Sequence, residues 1–223
     1  MMDKGHGKCP CRWKNCRRHG DCNACRAHHD QSAQRPLPAC EEGQRKKGIQ
    51  TVFRKATKED VERISEIYEE IHTENEAGRM TTGWIRSVYP SRETAEASVG
   101  CGDMFVEEED GRIVAAARIN QEQVTEYADA DWQYDVPDSQ VMVLHVLVVS
   151  PGERGRGYGT RFVEYYEAYA REHGCTCLRM DTNERNQSAR ALYQKLGYRE
   201  VSIVPCVFNG IPDVQLVCLE KKL

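Results

Sequence analysis

The first 48 residues of this chain contain no Val, Ile, Phe or Tyr, one Leu (Leu37) and one Trp (Trp13). No hydrophobic core can be assembled from such a stretch. A segment of that size folds only around a metal or covalent crosslinks, or it stays unfolded. The same stretch carries eleven Lys or Arg against five Asp or Glu, a net of +6, whereas residues 49–223 carry twenty against thirty, a net of −10. The overall charge of −4 conceals these two unlike segments. Apolar residues return at regular spacing from Ile49, so 49–223 is expected to be the folded domain. Residues 31–48, with two prolines and Arg45-Lys46-Lys47, read as a linker.

Six of the 11 cysteines lie before Ile49. A mean hydropathy of −0.70 and the lack of any long apolar run exclude a membrane span. The start, Met1-Met2-Asp3-Lys4, has no apolar stretch of the secretory kind. A cytoplasmic setting is therefore expected, and with it reduced cysteines rather than a disulfide framework. Cys9, Cys11, Cys16, Cys22 and Cys25, with His28 and its neighbours His19 and His29, mix thiolate and imidazole donors within a short stretch. That donor set suits Zn²⁺, whose binding energy would replace the missing core. Residues 1–30 are thus expected to form a Cys/His-rich metal-binding module. A redox or unfolded tail is the alternative, because only one C-x-x-C is present (Cys22 to Cys25) and the spacing fits no standard zinc ribbon. The basic charge permits a nucleic-acid role, but with Trp13 the one aromatic, nucleic acid is not the expected partner.

The larger segment alternates strand and helix patterns. Gln50 to Arg54 reads as a strand, and Thr57-Lys58-Glu59-Asp60 as a capping box before apolar residues at helical spacing. A second helical pattern covers about 82–97, interrupted by Pro90. Residues 104–107 and 113–119 form a strand pair around Asp110-Gly111. Glu107-Glu108-Glu109-Asp110 reads as a solvated hairpin turn. Residues 121–140 read as a long polar loop whose acids and aromatics would suit a cationic amine, or as plain surface. Val141 to Val149 reads as a buried central strand. Two more helix–strand alternations and a closing strand pair around Asn209-Gly210 follow. The fold class is α+β, or mixed α/β. Cys175, Cys177, Cys206 and Cys218 fall at or near strands and read as core fillers.

The densest chemistry lies between the central strand and the next helix, at Arg154-Gly155-Arg156-Gly157-Tyr158-Gly159. Glycines let backbone approach a ligand, and free N–H groups at a helix start favour an anion. Two arginines add charge. These are the features of a pyrophosphate cradle. The glycine spacing is neither the dinucleotide fingerprint nor a P-loop.

Arg154-x-x-Gly157-x-Gly159 resembles the R/Q-x-x-G-x-G/A signature of the GCN5-related N-acetyltransferases, the GNAT superfamily. Leu147-Val148-Val149-Ser150-Pro151 looks like the family's fourth strand. Asn186-x-x-Ala189-x-x-Leu192-Tyr193-x-x-Leu196-Gly197-Tyr198 is similar to a second family block. The resemblance covers about residues 50–223. It implies a central, mostly antiparallel twisted sheet with a splayed strand pair and flanking helices, preceded here by the small Cys-rich module. It also implies acetyl-CoA as co-substrate, with its pyrophosphate on Arg154, Gly155, Arg156, Gly157, Tyr158, Gly159 and Thr160. The pantetheine arm would lie along Leu147 and Val149, with Asn186 as a further contact.

The implied reaction is direct attack of a primary amine on the thioester. It needs an acid for the leaving thiolate and a base for the ammonium. Tyr193 matches a tyrosine that lies near the CoA sulfur in many relatives. Read from the residues alone, it is a core aromatic on a helix stripe. His145 matches a position where many relatives carry a Glu base; the alternative is a buried, satisfied histidine. The expected partners are acetyl-CoA and an amine acceptor, with a homodimer as one assembly and no membrane. A non-catalytic acyl-CoA sensor with a metal-binding head is the competing function.

Overall fold

The computed structural model describes residues 17–18, 21–29 and 50–223. The chain divides into two units, Met1–Gln50 and Thr51–Leu223. In the first, α1 (Cys22–His29) starts where the Asp21 carboxylate accepts the Ala24 N–H at 3.0 Å. Cys25 and His28, three residues apart, are neighbours on its surface. Cys9, Cys11, Cys16 and the 31–48 stretch lie outside the described residues, as does the side chain of Cys22. Among the described residues no group of three or more His, Cys, Asp or Glu side chains is placed to hold a metal.

The second unit is built on seven strands: β1 (Thr51–Lys55), β2 (Met104–Glu109), β3 (Arg112–Asn120), β4 (Val141–Val149), β5 (Cys177–Asn183), β6 (Arg199–Phe208) and β7 (Ile211–Lys222). Their order in the sheet is β1-β2-β3-β4-β5-β7-β6. All neighbours pair antiparallel except β4 and β5, which are parallel. Four helices flank the sheet: α2 (Val61–Glu76), α3 (Arg92–Cys101), α4 (Tyr158–Glu172) and α5 (Gln187–Lys195). This is the mixed α/β architecture expected. No helix of the described residues is long and apolar enough to cross a membrane.

Strand alternation divides the core between the two sheet faces. Phe105, Ala115, Ala117, Met142, Leu144 and Met180 point toward α4 and α5, against Phe162, Val163 and Tyr166. Met104, Val106, Ala116 and Val148 point the other way, against Ile64, Ile67 and Tyr68 of α2. The rest of that second face, Val141, Val143, Cys177, Leu216 and Cys218, is covered by the 121–140 segment. Tyr127 is buried there, and Trp132 lies against the sheet. The loop therefore takes the place of a helix and turns its aromatics inward. It does not offer the mixed acid and aromatic surface that its composition suggested.

Local signals explain the elements. Asp60 completes the capping box by accepting the Thr57 N–H at 2.7 Å and the Arg54 guanidinium at 2.6 and 2.9 Å. The helical pattern expected over 82–97 survives only in α3, which begins after the Ser91 cap. Before it the chain turns at Gly83 and Ser87, both at positive φ, and Ile85 bridges Tyr89. Gly83 suits its φ of +77°, and a Cβ there would crowd the Asn183 side chain. That close approach docks the 77–91 segment on β5. The acidic stretch at 107–110 is no solvated turn. Glu107 is fully buried and pairs with Arg161 at 2.7 Å, while Glu108 pairs with Arg54 at 2.8 Å. Cys175, Cys177 and Cys218 are buried, and Cys206 is half-buried.

Candidate active site

Two irregularities in β4 create the site. Its parallel pairing with β5 stops at Leu144↔Met180, although β5 runs on to Asn183 and β4 to Val149. Beyond Leu144 the β4 edge facing β5 has no strand partner. On the other edge, β3 register passes from Arg118↔His145 to Ala116↔Val148, so β4 carries one extra residue. Val146 sits at that bulge with φ 47°. The bulge reverses alternation, bringing His145 and Val146 to one face. Bulges of this kind bend a strand and re-aim its side chains.

The gap between β4 and β5 opens into a cavity of about 510 Å³. One end is the glycine-rich turn. Gly155 and Gly157 hold φ of +77° and +85°, values that favour glycine, and a Cβ on either would project into open space. Gly157 caps α4, whose first N–H groups face that end. Arg154 lines the cavity and has no ion pair within 4 Å among the described residues; its one hydrogen bond there is a long 3.5 Å bond to the Arg79 carbonyl, and its charge also reaches Glu74. Thr160, Asn186, Ala189 and Leu192 line the same end. Asn186 also caps α5, accepting the Ala189 N–H at 3.3 Å. Leu147 and Val149 line the wall formed by β4.

Arg156 differs from the sequence expectation. It is absent from the lining and turns away to Glu153 and to Glu109, the latter at 3.1 Å, with its guanidinium over the Tyr158 ring. Tyr158 itself donates to Glu109, and Arg161 stacks on the other side of the network. Arg156 and Tyr158 thus brace the turn against β2, and among the described residues Arg154 is the arginine of the turn without an ion pair.

The other end of the cavity is walled by Trp84, Tyr89, Phe208 and Ile211. Tyr193 reaches it from α5, with 6% of its surface exposed. Burial and the nearby Asp181 charge push the phenol well above its ordinary pKa, so it keeps its proton at neutral pH. His145 lies next door, in an adjoining recess of about 360 Å³ with Arg118, Ser98 and Cys101. Its Nε2 is 3.0 Å from the Asn120 side-chain oxygen. Burial and the Arg118 charge pull its pKa down to about 4. A neutral imidazole with so little affinity for a proton is poorly suited to deprotonate an ammonium.

Asp181, which composition and spacing did not single out, is the one carboxyl that lines both spaces. It accepts the Tyr127 hydroxyl at 2.8 Å. Its position in a strand of mixed residues, Leu178-Arg179-Met180-Asp181, gave no signal beyond the strand itself.

A parted parallel strand pair with a glycine-rich turn and a helix N-terminus at its mouth is an arrangement able to receive an anionic ligand. The chain belongs to the acetyltransferase (GNAT) family, whose model matches residues 61–198. It is 36% identical over 61 residues to the uncharacterized N-acetyltransferase YhfO of Bacillus subtilis, a match covering 27% of this chain and 41% of that protein. It is 29% identical over 76 residues to the uncharacterized N-acetyltransferase MJ1207 of Methanocaldococcus jannaschii, covering 34% of each. The chain therefore matches less than half the length of both curated relatives. Among solved structures, a GNAT-family acetyltransferase from Streptococcus agalactiae superposes with a TM-score of 0.64 at 23% identity, over 78% of this chain and 95% of that one. YncA from Salmonella typhimurium, solved with its cofactor acetyl-CoA, superposes with a TM-score of 0.55 at 19% identity, over 78% and 94%.

Proposed function

We propose that the chain transfers an acetyl group from acetyl-CoA to a primary amine by direct attack. The observation that carries this reading is the continuity of one cavity from the Arg154–Gly159 cradle, along the free edge of β4, to the Tyr193 phenol. The pieces fit an acyl-CoA in order. Helix N–H groups and Arg154 receive the pyrophosphate. The unpaired edge of β4 at Leu147–Val149 offers backbone groups to the amides of the pantetheine arm. The thioester then reaches the Tyr193 end.

In the reaction, the amine nitrogen forms a bond to the thioester carbonyl carbon and the carbon–sulfur bond breaks. Tyr193 gives its phenol proton to the departing sulfur. It regains one from the nitrogen, which becomes a neutral amide. The acceptor end is walled by aromatic and aliphatic side chains, which favours an amine carried on an apolar skeleton over a polyamine. A retained phenol proton on Tyr193 favours catalysis over passive sensing. Full-length protein given acetyl-CoA and a panel of primary amines is expected to release free CoA with at least one of them. Acetyl-CoA binding without release across the panel would support the sensor instead.

The two arginines of the turn give a sharper expectation. Arg154→Ala should weaken acetyl-CoA binding about tenfold, because an unpaired cation is lost from the cradle. Arg156→Ala should weaken it less, since that charge is already matched by Glu153 and Glu109. Calorimetric titration with acetyl-CoA compares the two directly.

The first thirty residues are proposed to bind Zn²⁺ through a subset of Cys9, Cys11, Cys16, Cys22, Cys25 and His28. The support is their donor chemistry and the missing core. A cytoplasmic setting is proposed with it, because thiolate ligands stay reduced there.

A further inference from the structure

We propose that Asp181, held by Tyr127, takes the proton from the acceptor ammonium. This rests on the acetyltransferase reading and gives Asp181 the role first expected of His145, whose imidazole burial and the Arg118 charge keep neutral. Asp181 is the first β5 residue beyond the Leu144↔Met180 pair, so it stands where the two strands part. It faces both the main cavity and the recess beside it, and shares that position only with Tyr89, Val146 and Phe208. The other carboxyl of the main cavity, Glu153, belongs to the cradle end and is engaged by Arg156.

The carboxyl has one oxygen anchored and one available. Oδ2 accepts the Tyr127 hydroxyl at 2.8 Å, whereas Oδ1 takes no hydrogen bond from the described residues, and the residue lines both spaces. An ammonium entering between Trp84, Tyr89 and Phe208 meets no other anion in these walls. Burial pushes the Asp181 pKa up to about 7, against the pull of the Tyr127 hydrogen bond. The carboxylate form is then present near neutrality and binds a proton far more readily than an ordinary aspartate.

Among the described residues, the groups around it leave no unmatched cation. Glu126 adds negative charge from the turn that holds Tyr127. Tyr193 is a buried phenol and Tyr89 a half-buried one, both raised by desolvation, and Cys218, opposite Asp181 on β7, and Cys206 are thiols raised by burial. Across the recess His145 is neutral, and the Arg118 charge is matched by Asp103 at 2.8 Å and Glu122 at 2.6 Å. In the step itself, one ammonium proton passes to the Asp181 carboxylate and leaves a free amine, whose lone pair attacks the thioester carbon. The proton on Asp181 returns to solvent after the product departs.

The test uses full-length protein, acetyl-CoA and phenethylamine as the apolar probe, with spermidine and other primary amines beside it. Wild-type kcat/KM is expected to rise with pH through about 7 and level off, because Asp181 acts only when deprotonated. Asp181→Asn should lose about 100-fold or more in kcat/KM while still binding acetyl-CoA in calorimetry. Tyr127→Phe should move the rising limb to higher pH, since the hydrogen bond that favours the carboxylate is gone; a purely structural role for Tyr127 would leave the limb in place. If the wild type acetylates an amine and Asp181→Asn keeps its kcat/KM, the inference is wrong and the acetyltransferase reading stands. If Tyr127→Phe leaves the limb unmoved, the inference is also wrong. If no amine on the panel is acetylated by the wild type, both fall together.

Discussion

Tyr193→Phe is expected to lower kcat by about 100-fold while leaving acetyl-CoA affinity nearly unchanged. The phenol ring packs in the core between α5 and the sheet, against Tyr198 at 6.0 Å between ring centroids. Phenylalanine keeps that packing and removes only the hydroxyl. What is lost is a donor to sulfur as the thiolate develops, an interaction that strengthens along the reaction and so appears in kcat rather than in binding. Stopped-time assays of free thiol at saturating acetyl-CoA measure the change. Full turnover in Tyr193→Phe would remove the acid role and return Tyr193 to a core aromatic.

The second large effect concerns stability. Glu220→Ala should cost about 3–5 kcal/mol, because it strands a buried guanidinium. Glu220 is 1% exposed on β7, and its Oε1 accepts Arg179 at 3.2 Å and the Cys177 thiol at 3.3 Å. Its Oε2 accepts the Gln133 N–H at 2.8 Å. Arg179 in turn donates to Gln123 at 2.5 Å and to the Tyr134 carbonyl, and stacks under Trp132. This buried pair ties the 121–140 segment to the sheet, beside its apolar contacts and the Tyr127–Asp181 hydrogen bond. The same segment carries Tyr127, which positions Asp181. Glu220→Gln keeps the shape and most hydrogen bonds, so it should destabilise much less. Urea denaturation of the three proteins gives the order: wild type, Glu220→Gln, then Glu220→Ala far below. A loss under about 1 kcal/mol for Glu220→Ala would show that the segment is held by its apolar contacts alone.

The residues that hold the backbone were legible in the sequence, and the groups that do the chemistry were less so. The glycine-rich turn announces itself because positive φ and close approach demand glycine, and the capping box at Thr57–Asp60 because its geometry is local. The buried β4 strand follows from an unbroken apolar run. The parting of β4 from β5 came through the family resemblance, since nothing in Val143-Leu144-His145-Val146-Leu147 marks where a parallel partner lets go. The bulge at Val146 is equally silent, yet it changes which face each later residue takes. The roles of charged groups depend on tertiary neighbours. Arg154 and Arg156 look alike in sequence and differ because only one meets Glu109 and Glu153. His145 is held neutral by burial beside Arg118, and Asp181, the residue proposed as base, stands at a gap that forms only on folding. The polar loop at 121–140 read as surface, because its inward aromatics are spaced without period around a cation drawn from β5.

The central claim is that the cavity between β4 and β5 passes an acetyl group from acetyl-CoA to an amine. Mass spectrometry of the amine after incubation with acetyl-CoA and full-length protein tests it most directly. An N-acetylated amine is expected in one-to-one proportion with free CoA, on at least one primary amine with an apolar skeleton. Tight binding of acetyl-CoA with no acetylated product from any primary amine would contradict it.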